Sequence, residues 1–226
     1  MNRRIFLALL FATSAFAQQK KPDPAMVPVV DEPGLPRVLL IGDSISIGYT
    51  VGARDLLKGK VNVHRILTNG ESTETGIAKL DTWLGSGKWD VIHFNWGLHD
   101  LKQYKDGKLT PGAPVWVGLP DYEANLAKLV VRLKATGAKL IFANTTPVPE
   151  GANGRVPGLE KQYNEAAARV MKSAGVRVND LHAFCQPNLG AWQRPRDVHF
   201  TPEGCAKLAE KVAAEITAAI SPASGK

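Results

Sequence analysis

Apolar and polar residues fall in blocks along this chain, and the blocks read alternately as strand and helix. Runs rich in Val, Ile and Leu occupy 37–42, 61–67, 89–96, 139–144 and 176–181. Being short and apolar at successive positions, they predict five strands buried on both faces. Between and after them, at 47–57, 73–84, 121–135, 159–173 and 202–220, apolar residues recur three and four positions apart, which predicts amphipathic helices. Gly59, Gly85, Gly137 and Gly175 follow the first four, where a left-handed residue most easily ends a helix. Short connections between alternating elements imply an α/β domain: a doubly wound, mainly parallel five-stranded sheet with helices on both faces. Ligands of such sheets bind beyond the carboxyl ends of the strands.

Two segments break the alternation. At the amino end, Arg3 and Arg4 precede an apolar stretch over 5–16, and Ala15-Phe16-Ala17 stands before Gln18. This is the pattern of a cleaved export signal over 1–17, too short for the ~20 residues of a spanning helix. The mature protein is therefore expected to be exported, periplasmic or secreted, without stable membrane insertion. Residues 18–36, rich in Pro, Lys and acids, read as a lead-in to one domain over 37–221. The second break is 102–120, polar and bearing Gly107, Gly112 and three prolines. It leaves the third strand on the ligand-binding side, so it is expected to wall a cleft, with Tyr104 and Trp116 as candidate substrate contacts.

Charge and cysteines refine the picture. Removing 1–17 takes away two Arg and no acid, so the formal charge falls from +7 to +5. The basic residues are scattered among acids without a block or aromatic-interleaved stripe, which argues against a nucleic-acid partner. In an oxidising compartment Cys185 and Cys205 are expected to pair. Such a bridge would close a loop of about twenty residues, worth roughly 3 kcal/mol in the chain-entropy model.

The chemistry-bearing residues cluster at predicted strand ends. Val38-Leu39-Leu40-Ile41 runs directly into Gly42-Asp43-Ser44, which puts a serine hydroxyl where a buried strand turns into a helix. A hydroxyl there is exposed above the sheet, with its own N–H facing any oxyanion that forms. The same tripeptide also makes an ordinary turn or helix cap. Near the other end, Asp197-Val198-His199 supplies a carboxylate and an imidazole ahead of the helix signal Thr201-Pro202-Glu203. Two further strand ends carry Thr68-Asn69-Gly70-Glu71-Ser72 and Asn95-Trp96-Gly97-Leu98-His99-Asp100.

These four segments, in this order over roughly 37–220, resemble the GDSL or SGNH hydrolase family. The resemblance implies a flavodoxin-like fold and ester cleavage by a serine nucleophile. Carried over, it makes Ser44 the nucleophile and His199 the general base, with the N–H groups of Ser44 and Gly70 as oxyanion donors. Where the family has Gly-x-Asn-Asp, this chain has Gly97-Leu98-His99-Asp100, so His99 replaces the amide donor, and Asn95 is the alternative. The family's acid lies three residues before the histidine, but that position is Arg196. Asp197, two before, can reach His199 Nδ1 only if the chain turns between them.

The expected activity is hydrolysis of short-chain, O-acetyl, esters on a carbohydrate through an acyl-enzyme, with no cofactor and no metal. The rivals are a lipolytic esterase or thioesterase, a carbohydrate O-acyltransferase, and a non-catalytic glycan-binding module. His64, His93 and His182 read as structural, and Asp100 as a residue bonding turn N–H groups.

Overall fold

The structure, a computed structural model, describes residues 22–221, so the export segment expected over 1–17 lies outside the described residues. In chain order its elements are β1 (Arg37–Ile41), α1 (Ser44–Leu57), β2 (Asn62–Arg65), α2 (Thr73–Leu84), β3 (Val91–Phe94), β4 (Tyr104–Lys105), β5 (Lys108–Leu109), α3 (Leu119–Lys134), β6 (Lys139–Ala143), α4 (Leu159–Ala174), β7 (Arg177–Asn179), α5 (Leu181–Cys185), α6 (Leu189–Trp192) and α7 (Pro202–Ile220). Five strands form one parallel sheet in the order β2-β1-β3-β6-β7, as expected from the alternation.

Strand order fixes the layers. The β1-to-β2 connection runs one way along the sheet, and the later connections run the other way. Right-handed crossovers therefore place α1 on one face and α2, α3 and α4 on the other. The packing agrees: α1 lies against α7, while α3 contacts both α2 and α4. Direction reverses between β1 and β3, and a doubly wound sheet opens its ligand crevice at that reversal.

The strands are shorter than their apolar runs because burial continues into the turns. Val61, Ile66 and Trp96 lie outside the strands yet are buried, and Trp96 is among the largest fully buried side chains. Residues 22–36 are held against the domain: Glu32 N–H donates to Asn62 Oδ1 at 2.8 Å, and Arg54 donates to the Pro24 carbonyl at 2.9 Å.

Three expectations change. The 102–120 segment, expected only as a cleft wall, folds β4 and β5 into a hairpin around Asp106 and Gly107, whose φ values are 50° and 77°. An Asp-Gly pair accepts two successive left-handed residues, and that dipeptide was the overlooked turn signal. Between β7 and α7 the chain makes α5, a single 3-10 turn and α6, each too short to show a helical period. The expected disulfide does not form, because the two thiols serve different packing sites. Cys185 ends α5 fully buried, whereas Cys205 in the first turn of α7 lies 3.0 Å from where a Cβ on Gly48 of α1 would stand.

Candidate active site

Ser44 is the first residue of α1, three positions earlier than the apolar period suggested. Asp43 causes the early start by capping the helix, its Oδ1 accepting from Ile45 N–H at 3.0 Å. A first-turn N–H has no intrahelical acceptor, so the Ser44 N–H is available beside its own hydroxyl. Beneath this turn lies Arg65, a buried guanidinium that sequence reasoning missed. Its two terminal nitrogens donate to the carbonyls of Gly42, Asp43, Ile66 and Thr68 and to Ser46 Oγ, tying the first two strand-end turns together. Burial pulls its pKa down to about 10. An Arg inside the predicted strand run 61–67 was the available signal, since a buried charge there needs partners.

His199 reaches the serine from the far end of the chain. Its Nε2 lies 2.9 Å from Ser44 Oγ, and its Nδ1 lies 2.7 Å from Asp197 Oδ1. The required turn is present: Asp197 Oδ1 also accepts from the His199 main-chain N–H at 3.1 Å, and Arg196 takes a left-handed φ of 57° just before it. With Nδ1–H donating to the carboxylate, Nε2 carries the lone pair and accepts from the serine hydroxyl. Burial raises the Asp197 pKa, but hydrogen bonds from the His199 amide and ring outweigh it and hold the carboxyl below its ordinary value. The segment is anchored on both sides of the histidine. Val198 and Phe200 are buried, Arg194 N–H donates to the His199 carbonyl at 2.9 Å, and Thr201 caps α7 through Gly204 N–H.

The remaining strand-end turns converge on the same rim, with one correction. Gly70 N–H is not an oxyanion donor here, because it donates to the Gly42 carbonyl at 2.9 Å. The two glycines approach so closely that a Cβ on Gly70 would lie 2.9 Å from that oxygen. Glu71 N–H is likewise taken, by Asn69 Oδ1. Asn95 packs against Gly42, where an added Cβ would come within 2.0 Å of Asn95 Oδ1. Gly97, at φ 151°, sits equally tightly against Thr145.

His99 and Lys102 form a pair that continues into the hairpin segment. Lys102 Nζ is 3.3 Å from His99 Nδ1 and lies 4.3 and 4.1 Å from the ring centroids of Tyr104 and Trp116. The two aromatic rings stack on each other at 5.1 Å, so they face one another and share the ammonium. Arg155, also missed, is held by the Leu98 carbonyl at 3.1 Å and acts electrostatically on Asp43 and Asp197. It follows the turn after β6 with no periodic pattern to mark it.

Beside the serine lies a cavity of about 180 Å³ lined by Ser44, Ile47, Gly48, Arg194, His199 and Cys205, among others. The other histidines lie elsewhere. His64 pairs with Asp31, His93 is fully buried against Asn179, and His182 faces Glu160. Asp100 is buried, with Oδ1 accepting from both Thr73 N–H and its hydroxyl at the start of α2. Among the described residues no three His, Cys, Asp or Glu side chains group as metal ligands, and no helix is long and apolar enough to cross a membrane.

The sequence model of the GDSL-like lipase/acylhydrolase family matches residues 40–207. A search of curated protein sequences finds no match. Among solved structures, the chain is similar to a lipase/acylhydrolase from Enterococcus faecalis, with a TM-score of 0.69 and 20% identity over 84% of this chain and 100% of that one. It is also similar to the acetyl xylan esterase AlAXEase, with a TM-score of 0.66 and 16% identity over 80% and 99% of the two chains. For Axe2, an acetylxylan esterase from Geobacillus stearothermophilus, the TM-score is 0.65 and the identity 20%, over 80% and 94%. At these identities the likeness is one of fold.

Proposed function

Because the chain belongs to the GDSL-like lipase/acylhydrolase family and is a serine carboxylic ester hydrolase of that kind, we propose that it removes short acyl groups, acetyl above all, from a carbohydrate. In this reading Ser44 Oγ bonds to the ester carbonyl carbon while its proton passes to His199 Nε2. The C–O bond to the alcohol then breaks, and His199 returns the proton to the leaving oxygen. A water attacks the acyl-enzyme by the same route, releasing the acid and restoring Ser44. Asp197 orients the imidazole and stabilises its protonated form. The oxyanion is held by the Ser44 N–H and the His99 ring N–H.

The observation that carries the proposal is the run of contacts Ser44 Oγ, His199 Nε2, His199 Nδ1 and Asp197 Oδ1, at 2.9 and 2.7 Å. The short acyl group is favoured by the modest size of the cavity beside Ser44, about 180 Å³. A carbohydrate alcohol is favoured by the aromatic wall of Tyr104 and Trp116 and by the two acetylxylan esterases of similar fold. Export is favoured by the basic, apolar and small-residue pattern of 1–17. Acetate release from acetylated xylo-oligosaccharides, set against hydrolysis of a long-chain p-nitrophenyl ester, tests the substrate. A higher kcat/KM on the long chain would overturn it.

A further inference from the structure

A neutral imidazole serves an oxyanion only through the nitrogen that bears hydrogen, so replacing the usual amide with His99 creates a requirement the amide never had. The proton must reside on the nitrogen facing the site. We infer that Lys102 meets this requirement as a positioning residue: by donating to His99 Nδ1 it keeps that nitrogen unprotonated and the proton on Nε2. The inference rests on the proposed role of His99 as oxyanion donor.

The geometry is built for it. Leu101 N–H donates to the Gly97 carbonyl, closing a turn that sets residues 99 and 102 on one side. The backbone at 100–102 is then pinned to the hairpin segment, Trp116 N–H donating to the Lys102 carbonyl at 2.8 Å and Val117 N–H to the Asp100 carbonyl at 2.9 Å. The ammonium lies over both Tyr104 and Trp116 and 3.3 Å from His99 Nδ1. An ammonium has donors and no acceptor, so at that contact Nδ1 can only accept. The aromatic pair thus holds a cation in place, which a merely solvated lysine would not need.

Other charges face His99 from each neighbouring turn. Asp43 comes from the β1-to-α1 turn, Glu71 from the β2-to-α2 turn and Arg155 from the segment before α4. Burial dominates and lowers the His99 pKa, with Lys102 and Arg155 acting in the same direction and the two carboxylates against it. The imidazole is therefore kept neutral, the form in which its tautomer matters.

The test is 15N–1H spectroscopy of the imidazole nitrogens together with kinetics, His99 signals being identified by their absence in H99N. The wild type is expected to show an unprotonated Nδ1 and a protonated Nε2 over a pH window extending upward from neutral. K102M should show mixed tautomers or a titration in that window, and its kcat on an acetyl ester should fall about tenfold with KM nearly unchanged. That is less than the roughly 10²-fold expected of H99A, which removes the donor outright. K102R should recover most of the loss, and in an H99N background K102M should cost nothing further. A protonated Nδ1 in the wild type, a K102M variant with wild-type spectrum and kcat, or an equal K102M loss in the H99N background would overturn the inference. Should K102M not fold, K102Q and the wild-type spectrum carry the same decision. H99A with wild-type kcat would sink the reading of His99 itself, whereas an impaired H99A beside an unaltered K102M would sink the role of Lys102 alone.

Discussion

Asp197 holds His199 twice with one oxygen: Oδ1 accepts both the main-chain N–H at 3.1 Å and the ring Nδ1–H at 2.7 Å. A carboxylate two residues from its histidine works here because the backbone between them is bent into an Asx turn and aimed by a left-handed Arg196. The same atoms that shape the loop therefore also fix the tautomer presented to Ser44.

D197N keeps the size and one acceptor oxygen but loses the charge that stabilises an imidazolium, so kcat should fall about 10²- to 10⁴-fold with little change in KM. The pH dependence follows from the lowered carboxyl pKa. Folded Asp197 titrates below its ordinary 3.8, so its stabilising contribution is complete above 3.8 and is lost as pH falls through the lower folded value. Thermal melts of wild type and D197N should converge in strong acid and separate at neutral pH. Parallel melts throughout would contradict this.

The nucleophile turn tolerates no added volume at Gly42. A Cβ there would stand 2.0 Å from Asn95 Oδ1 and 2.8 Å from Ser46 Oγ. G42A should lose about 1–3 kcal/mol of stability by overpacking and displace Ser44, with a matching loss of activity. Trimming the opposing side chain in G42A/N95A should recover part of the stability in denaturant melts. No recovery would mean that the strain lies elsewhere.

Asp100 should make the fold lose stability as pH rises from acid to neutral. Burial pushes its carboxyl up to about 7 against the lowering hydrogen bonds from Thr73, and its Oδ2 is buried without a partner. With the folded pKa above the unfolded 3.8, the protonated form's contribution is complete below 3.8 and erodes as pH rises through about 7. D100N, which keeps the acceptor for Thr73, should remove this component, so its melting temperature should fall less than the wild type's across that range. Calorimetry at several pH values reads the slope, and equal slopes would contradict the assignment.

Both thiols should be free. A thiol assay in denaturant should count Cys185 and Cys205, and a reductant should leave the melting temperature unchanged. In the native protein Cys185 should stay unreactive, since burial pushes its thiol up to about 12. A blocked pair in denaturant would restore the disulfide.

What the residues revealed, and what they concealed, follows from where each signal lives. The sheet was legible because buried parallel strands write continuous apolar runs, and Ser44 because it follows directly on the turn that closes the clearest of them. The pairing of Asp197 with His199 depended on a single left-handed residue, Arg196, which no period announces. Gly70 was misread as a donor because its neighbour Gly42 leaves an open carbonyl 2.9 Å away, a contact between segments remote in sequence. The Cys185 and Cys205 pairing failed for a similar reason, as proximity in sequence says nothing of which packing site each thiol fills. Lys102 and Arg155 were invisible because lone cations in loops look solvated until a fold brings rings and carbonyls to them.

The most direct measurement of the central claim, that His199 makes Ser44 the reacting nucleophile, is covalent trapping with an organophosphonate followed by mass spectrometry of the digested protein. The expected result is an adduct confined to the Ser44 peptide that forms in step with the loss of esterase activity and does not form in H199A. Full activity in S44A, or an adduct on another residue that accounts for the inactivation, would contradict it.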